Sequence, residues 1–314
     1  MHICITLCTV ARPVMLADCL RSIMAQHTSI EHRLSVVIVE NSDEPACRHV
    51  IAEMKALQDI ALHYFLEPER GIPLARNRSV EEALNLNADW LAFIDDDETL
   101  DPGWLDAMLR HALSNKADVY TGPVVSVLPA KKPDWMEPLN TLNENPDGYM
   151  KKTAATNNTL VHRRLFLPSA GNMRFDPDFR YTGGSDDEFF KRARASGFRI
   201  MWVNDAVVRE TVPMSRFNMK WHLERIARVA ANEVAISYKH KGTMATLWRY
   251  APKCVTRALL GRIEKAWIAM RMRLQDRSFE KERFSALRKI ASSGGMAAGL
   301  MRKRPEPYKV IEGH

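Results

Sequence analysis

The stretch Trp90-Leu-Ala-Phe-Ile-Asp-Asp-Asp-Glu98 decides the fold class. Its apolar half has no polar interruption, so it reads as a strand buried on both faces; a half-solvated strand would alternate. It stops at four carboxylates. Towards the N-terminus, a helix is predicted over residues 74–86, behind a loop containing Gly71, and a strand at about residues 61–66. Before these come a helix ending near residue 57 and the β-branched run Ser35-Val-Val-Ile-Val39, which closes on Glu40-Asn-Ser-Asp43. Met15, Leu16, Cys19, Leu20, Ile23 and Met24 form one apolar stripe at helical spacing. They follow a short strand at residues 3–7 and a loop with Thr9, Arg12 and Pro13. Strands alternating with helices of about 10–15 residues predict βαβ crossovers and a mostly parallel sheet, an α/β fold. In such sheets ligands bind beyond the carboxyl ends of the strands, and every polar cluster named here falls there.

Towards the C-terminus the pattern loosens. Residues 120–128 read as one strand, and residues 129–158, rich in Pro and Asn, are too irregular to assign; long loops of this kind often serve as lids. A helix from Asp186 to Ser196 follows the turn Tyr181-Thr-Gly-Gly-Ser185, with Phe189, Phe190 and Ala193 facing inward and Ser185 suited to cap it. Short strands are predicted at residues 199–203 and 206–209, and from Ser215 the chain reads helical, with Leu223, Ile226, Ala227, Ala230 and Val234 on one face. The expected organisation is an α/β domain over residues 1–215 and a helical, basic region over residues 216–314.

Composition excludes whole classes. With 46% hydrophobic and 26% charged side chains, the 314 residues are neither disordered nor fibrous. The five cysteines are odd in number and lack C-x-x-C spacing, which argues against a disulfide framework or structural zinc. No apolar run approaches a membrane span, and the first residues lack a signal-peptide pattern, so a cytoplasmic protein is expected. The net charge of +7 is uneven: residues 241–304 carry +12, which leaves −5 for the rest. Such asymmetry suggests that the two parts meet different partners.

Three adjacent carboxylates at a strand end repel one another unless a cation offsets them. Asp95, Asp96 and Asp97 are therefore candidates for Mg²⁺ or Mn²⁺, which take hard oxygen ligands and leave room for phosphates; the alternative is a solvated acidic turn. Asp186-Asp187-Glu188 is a second acidic cluster, open either to general-base chemistry or to simple complementarity with a helix dipole. Arg76 is a candidate contact for a phosphate or base, and Asn157 for a sugar hydroxyl, against a solvated helix face and a plain turn respectively. There is no P-loop, dinucleotide-binding glycine motif or nucleophile elbow.

Five segments in order resemble family 2 glycosyltransferases. They are residues 3–13 (Ile-Cys-Ile-Thr-Leu-Cys-Thr-Val-Ala-Arg-Pro), residues 36–43 (Val-Val-Ile-Val-Glu-Asn-Ser-Asp), and residues 71–77, 93–98 and 183–192. The nearest likeness is to the non-processive bacterial enzymes that build exopolysaccharides such as succinoglycan. The resemblance implies a GT-A fold, Rossmann-like, and an inverting, metal-dependent transfer of one sugar from a nucleotide-sugar, UDP foremost, to a saccharide or lipid-linked acceptor. It implies that Thr9 and Arg12 line the nucleotide pocket and that Glu40 stands where the family usually has an aspartate reading the uracil. It sets Arg76 beside the base and phosphate, Asp95 and Asp96 near ribose and diphosphate, and Asp97, with Asp95, at the cation. Asp186 takes the place of the general base, with Asp187 as the alternative. Two departures stand out: Glu40 replaces Asp, and Ser185 replaces a usual Glu. A sugar-phosphate nucleotidyltransferase would need a glycine-rich basic loop where the chain has Thr9-Val-Ala-Arg-Pro13. A scaffold that kept the fold and lost its chemistry has only Ser185 in its favour.

The basic region lacks the Q-x-x-R-W signature of processive synthases. There Leu247, Val255, Leu259, Ile263, Trp267 and Ile268 interleave with Arg249, Lys253, Arg257, Arg262 and Lys265. Such a segment suits an anionic membrane surface on the inner face of the plasma membrane, or else a packing helix with solvated arginines; no nucleic-acid motif is present.

Overall fold

In β1 (His2–Thr9) the side chains of Ile3, Ile5 and Leu7 enter one core while Cys4 enters another. β2 (Arg33–Glu40) divides in the same way, Val36 and Ile38 against Val37 and Val39, and so does β4 (Trp90–Asp95), Trp90, Ala92 and Ile94 against Leu91 and Phe93. Successive strand side chains point to opposite faces, so an uninterrupted apolar strand needs helices on both sides. The first face is covered by α1 (Pro13–Met24), α2 (Arg48–Leu57) and α4 (Trp104–Ser114). The second is covered by α3 (Ile72–Asn85) and α5 (Ser185–Ala195).

This computed structural model describes residues 1–57, 60–114, 116–136, 145–274, 279–306 and 309. With β3 (Ala61–Leu66), β6 (Val119–Thr121), β8 (Met150–Lys151), β9 (Thr159–His162) and β10 (Ile200–Trp202), the large sheet runs β3-β2-β1-β4-β9-β6-β10-β8. β3, β2, β1 and β4 are parallel, as are β6 and β10; β9 is antiparallel to both its neighbours and β8 to β10. The sheet is thus mostly parallel, as the sequence predicts, with β9 running against it between the halves. β5 (Glu98–Leu100), β7 (Val124–Val127) and β11 (Val208–Thr211) make a second, three-stranded sheet in the order β5-β11-β7.

One expectation fails here. Residues 120–128 are not one strand: β6 ends at Thr121, and β7 begins at Val124 in the other sheet. Gly122 and Pro123 make the fork. Proline has no N–H for a ladder, and a Cβ on Gly122 would lie 2.1 Å from the Ala206 carbonyl oxygen. Asn158 pins the same point. Its amide donates to the carbonyls of Pro123 (2.9 Å) and Ala206 (2.7 Å) and its oxygen accepts from the Trp104 indole (2.9 Å).

Met1–Val127 and Asn140–Thr211 belong to one compact unit, and Leu128–Leu139 and Val212–Pro307 to a second. The second is helical, built from α6 (Met219–Leu274), which is kinked at Gly242, and α7 (Glu280–Leu300). Ala230, Val234, Tyr250 and Met296 form one of its cores, so the two limbs of α6 pack on each other and on α7. Trp135, Met136 and Phe284 form another. Among the described residues no helix is long and apolar enough to cross a membrane.

Candidate active site

The carboxyl ends of β1 and β4 lie side by side, Cys8 paired with Asp95, and this register brings the first loop against the acidic turn. Thr9 Oγ1 donates to Asp96 at 2.6 Å, and the Arg12 guanidinium approaches Asp96 at 3.2 Å and Asp97 at 3.9 Å. Pro13 starts α1, where its missing N–H costs nothing, and this fixes Arg12 just ahead of the helix. Ala11 sits at a left-handed φ of 49°, a conformation that disfavours non-glycine residues. Its N–H donates to Glu40 at 3.2 Å, which holds the loop in that shape.

Glu40 is fully buried. Besides Ala11 it accepts from the Cys47 N–H at 2.9 Å and from the Tyr64 hydroxyl, so both its oxygens are engaged within the protein. Asn41 next to it ties a second loop. Its amide donates to the carbonyls of Glu67 and Glu69, each at 2.8 Å, and its oxygen accepts from the Gly71 N–H at 2.8 Å. Gly71 has φ 145°, and a Cβ there would meet the Arg180 side chain at 2.6 Å. This tie sets the start of α3 and with it Arg76.

Arg76 reaches Asp95 at 3.4 Å and Ser185 Oγ at 3.4 Å, and lies over the ring of Phe175. Ser185 does not cap α5: the N-cap is Gly184, and Ser185 is the first helical residue, buried, with its hydroxyl turned to Arg76. Asp186, next in the helix, is close enough for its charge to raise the pKa of Asp95. Asp187 points elsewhere, accepting from Lys191 at 2.5 Å and Thr153 at 3.4 Å, and Glu188 is buried against Arg192 at 2.9 Å. Asn157 is half-buried in the turn before β9. Among the described residues no hydrogen bond or ion pair joins Asn157 or Glu40 directly to the acidic turn.

The turn holds excess negative charge. Asp96 is pushed up to about 6, first by burial and then by Asp97 and Asp95, against the pull of Arg12 and Thr9. Asp95 is raised by loss of water and by the charges of Asp97 and Asp186, opposed by Arg76. Glu98, the last acid of the run, is buried and accepts from the Asp95 N–H at 3.0 Å; burial holds its carboxyl well above the usual range. Asp97 is fixed through its backbone, whose carbonyl accepts from the Thr211 N–H at 3.2 Å. Among the described residues, Arg12 pairs with Asp96 and Asp97, and Arg76 with Asp95. Among the described residues no three His, Cys, Asp or Glu side chains converge as a ready cation cage. Such a donor set fits a dication that keeps one or two carboxylates and takes its other oxygens from substrate phosphates.

The sheet order, the second small sheet and the acidic turn at the end of the central strand define a GT-A glycosyltransferase architecture. Over almost its whole length (96%) the chain resembles the mannosyltransferase PcManGT from Pyrobaculum calidifontis in complex with GDP-Man and Mn2+, covering 88% of that chain (TM-score 0.59, 13% identity). S. aureus TarS 1-349 in complex with UDP-GlcNAc is similar over 96% of this chain and 93% of its own (TM-score 0.53, 14% identity). GalNAc-T7 with UDP, GalNAc and Mn2+ is similar over 74% of this chain, which spans about half (51%) of that longer one (TM-score 0.55, 13% identity). These likenesses establish the fold. A profile of Glycosyl transferase family 2 matches residues 4–171. Succinoglycan biosynthesis protein ExoM of Rhizobium meliloti (strain 1021) is 32% identical over 228 residues, 72% of each chain. The chain belongs to glycosyltransferase family 2.

Proposed function

We propose that this chain is an inverting, cation-dependent hexosyltransferase. It moves one sugar from a UDP-sugar to a hydroxyl of a saccharide or lipid-linked acceptor during exopolysaccharide assembly, at the inner face of the plasma membrane. The observation that carries this reading is Arg76, which reaches both Asp95 at the end of β4 and Ser185, the neighbour of Asp186, at the start of α5, each at 3.4 Å. A cation-seeking turn and a half-buried carboxylate on a helix thereby act on one place. The succinoglycan role in the relative's name supports the polysaccharide assignment.

The chemistry follows from charge. A sugar hydroxyl is too weak an acid to ionise at neutral pH, so Asp186 takes its proton as the oxygen attacks the anomeric carbon. The bond from that carbon to the diphosphate breaks with its electron pair on the departing phosphate oxygen. Attack opposite the leaving group inverts the centre. Asp95 and Asp97 would hold the dication, which when bound neutralises the charge developing on the diphosphate. Arg12 and Arg76, flanking the turn, orient the phosphates, while Thr9 keeps Asp96 in place. Asp187, engaged by Lys191 and Thr153, is the weaker candidate for the base.

Thermal denaturation with UDP or GDP, each with Mn²⁺ or excess chelator, tests the reading. UDP with Mn²⁺ should raise Tm more than either alone or than GDP, because a ligand selective for the native state stabilises it. Identical shifts in chelator would contradict the cation, and no shift with any nucleoside diphosphate would contradict the donor class.

A further inference from the structure

Beyond Gly242, α6 resumes as a helix with two unlike sides. One side packs on α7: Tyr250 and Ile268 are buried, the Cys254 thiol meets the Ser293 carbonyl at 3.2 Å, and Glu264 pairs with Lys289. This corrects the placement of Ile268, which belongs to an inner cluster with Phe279 and Ala286 and not to the outer face. The other side carries Met244 (68% exposed), Trp248 (79%), Val255 (58%), Leu259 (53%), Ile263 (64%) and Trp267 (57%). Their spacing of mostly four residues keeps them on one face of a helix. At about 1.5 Å per residue the stripe is roughly 35 Å long.

Its charge is of one sign. Arg249, Lys253, Arg262 and Lys265 are exposed along the same limb, while Arg257 donates to Ser292 Oγ on α7 at 2.5 Å and Glu264, the one acid between residues 241 and 272, faces α7. We propose that this face docks the chain on an anionic phospholipid bilayer: the tryptophan and aliphatic side chains enter the boundary between headgroups and acyl chains, and the lysines and arginines meet lipid phosphates. The pattern is that of a helix lying in the interface. Charge and shape together select the partner. A second copy laid on this face would oppose like cations with no carboxylate between them. A nucleic acid would satisfy the cations but leave Val255, Leu259 and Ile263 in water.

The test is vesicle flotation of the full chain, with phosphatidylglycerol mixed into phosphatidylcholine against phosphatidylcholine alone. The chain should bind the anionic vesicles at least about tenfold more tightly and should release as salt is raised. The variant W248E/I263E/W267E, altered only at exposed positions, should lose about tenfold or more in partition while its stabilisation by UDP and Mn²⁺ is unchanged. Equal binding to both vesicles, or undiminished binding by the variant, would overturn the proposal. So would concentration-dependent self-association in light scattering that the variant abolishes, or duplex DNA held more tightly than anionic vesicles. The readout is partition, so it stands or fails independently of sugar transfer.

Discussion

The sheet unit and the helical unit handle charge in opposite ways. In the first, the functional charges are negative and individually held: Asp96, buried, by Thr9 and Arg12, Glu98, buried, by a backbone N–H, and the partly exposed Asp95 by Arg76. In the second, on the outer side of α6 beyond Gly242, the charges are positive, exposed and set beside exposed tryptophans and aliphatics. Buried, fixed charge is expensive to assemble and worthwhile where reacting groups must be held within hydrogen-bond distance. Exposed charge is cheap, adaptable and suited to a broad fluid surface. The contrast explains how one basic chain can contain an acidic turn.

The comparison can be broken most severely at the acidic turn. Asp97→Asn removes a charge from the proposed cation site and should lower turnover by roughly 10²–10³-fold in steady-state assays while the fold persists in circular dichroism. A variant as active as the parent would mean that the turn is structural. Next in size are the supports beneath it. Glu40→Ala leaves the N–H groups of Ala11 and Cys47 without their acceptor and should cost about 3 kcal/mol in urea denaturation. Gly122→Ala drives a methyl into the Ala206 carbonyl and should cost a similar amount, about 3 kcal/mol, with loss of the fork between the two sheets. A cost near zero for either would show that the support is not rigid.

The smallest effect is chemical. Burial pushes the thiols of Cys4 and Cys47 up to about 11 and that of Cys8 up to about 12. At pH 8 only about one in a thousand of a thiol with a pKa of 11 is ionised, so native labelling by a disulfide reagent should be slow and should accelerate on unfolding. A folded-state pKa above the unfolded one means that the native protein binds those protons more tightly. Their contribution is complete below the ordinary thiol pKa of about 8.5 and is lost as pH rises through the folded values, so stability should fall above about pH 9. Prompt native labelling of these three thiols would show the sheet core to be more open than described.

Much of this was legible in the chain, and the gaps have physical reasons. β1, β2 and β4 announce themselves because strands buried on both faces are apolar throughout, and the acids after β4 mark where such strands end. The fork at Gly122 has only Pro123 as its local sign. What bends the chain there is the carbonyl of Ala206 and the amide of Asn158, both distant in sequence. β9 has only four residues, too few for a pattern, and its place is fixed by β4 and β6. Glu40 is conspicuous in sequence, but its bonds to Ala11, Cys47 and Tyr64 join three separate segments that no local spacing reveals. Ile268 and Trp267 are neighbours in a mixed apolar and basic run, and only the packing of α7 decides that one is inside and the other out.

The account depends most on Asp186 acting as the proton acceptor beside the acidic turn. Replacing it as Asp186→Asn preserves size and hydrogen bonding but removes the base, so calorimetric titration with UDP and Mn²⁺ can be set against the rate of sugar transfer. The expected result is nucleotide affinity within about twofold of the parent and transfer lower by roughly 10²–10⁴-fold. Equal loss of binding and transfer, or transfer at the parental rate, would contradict it.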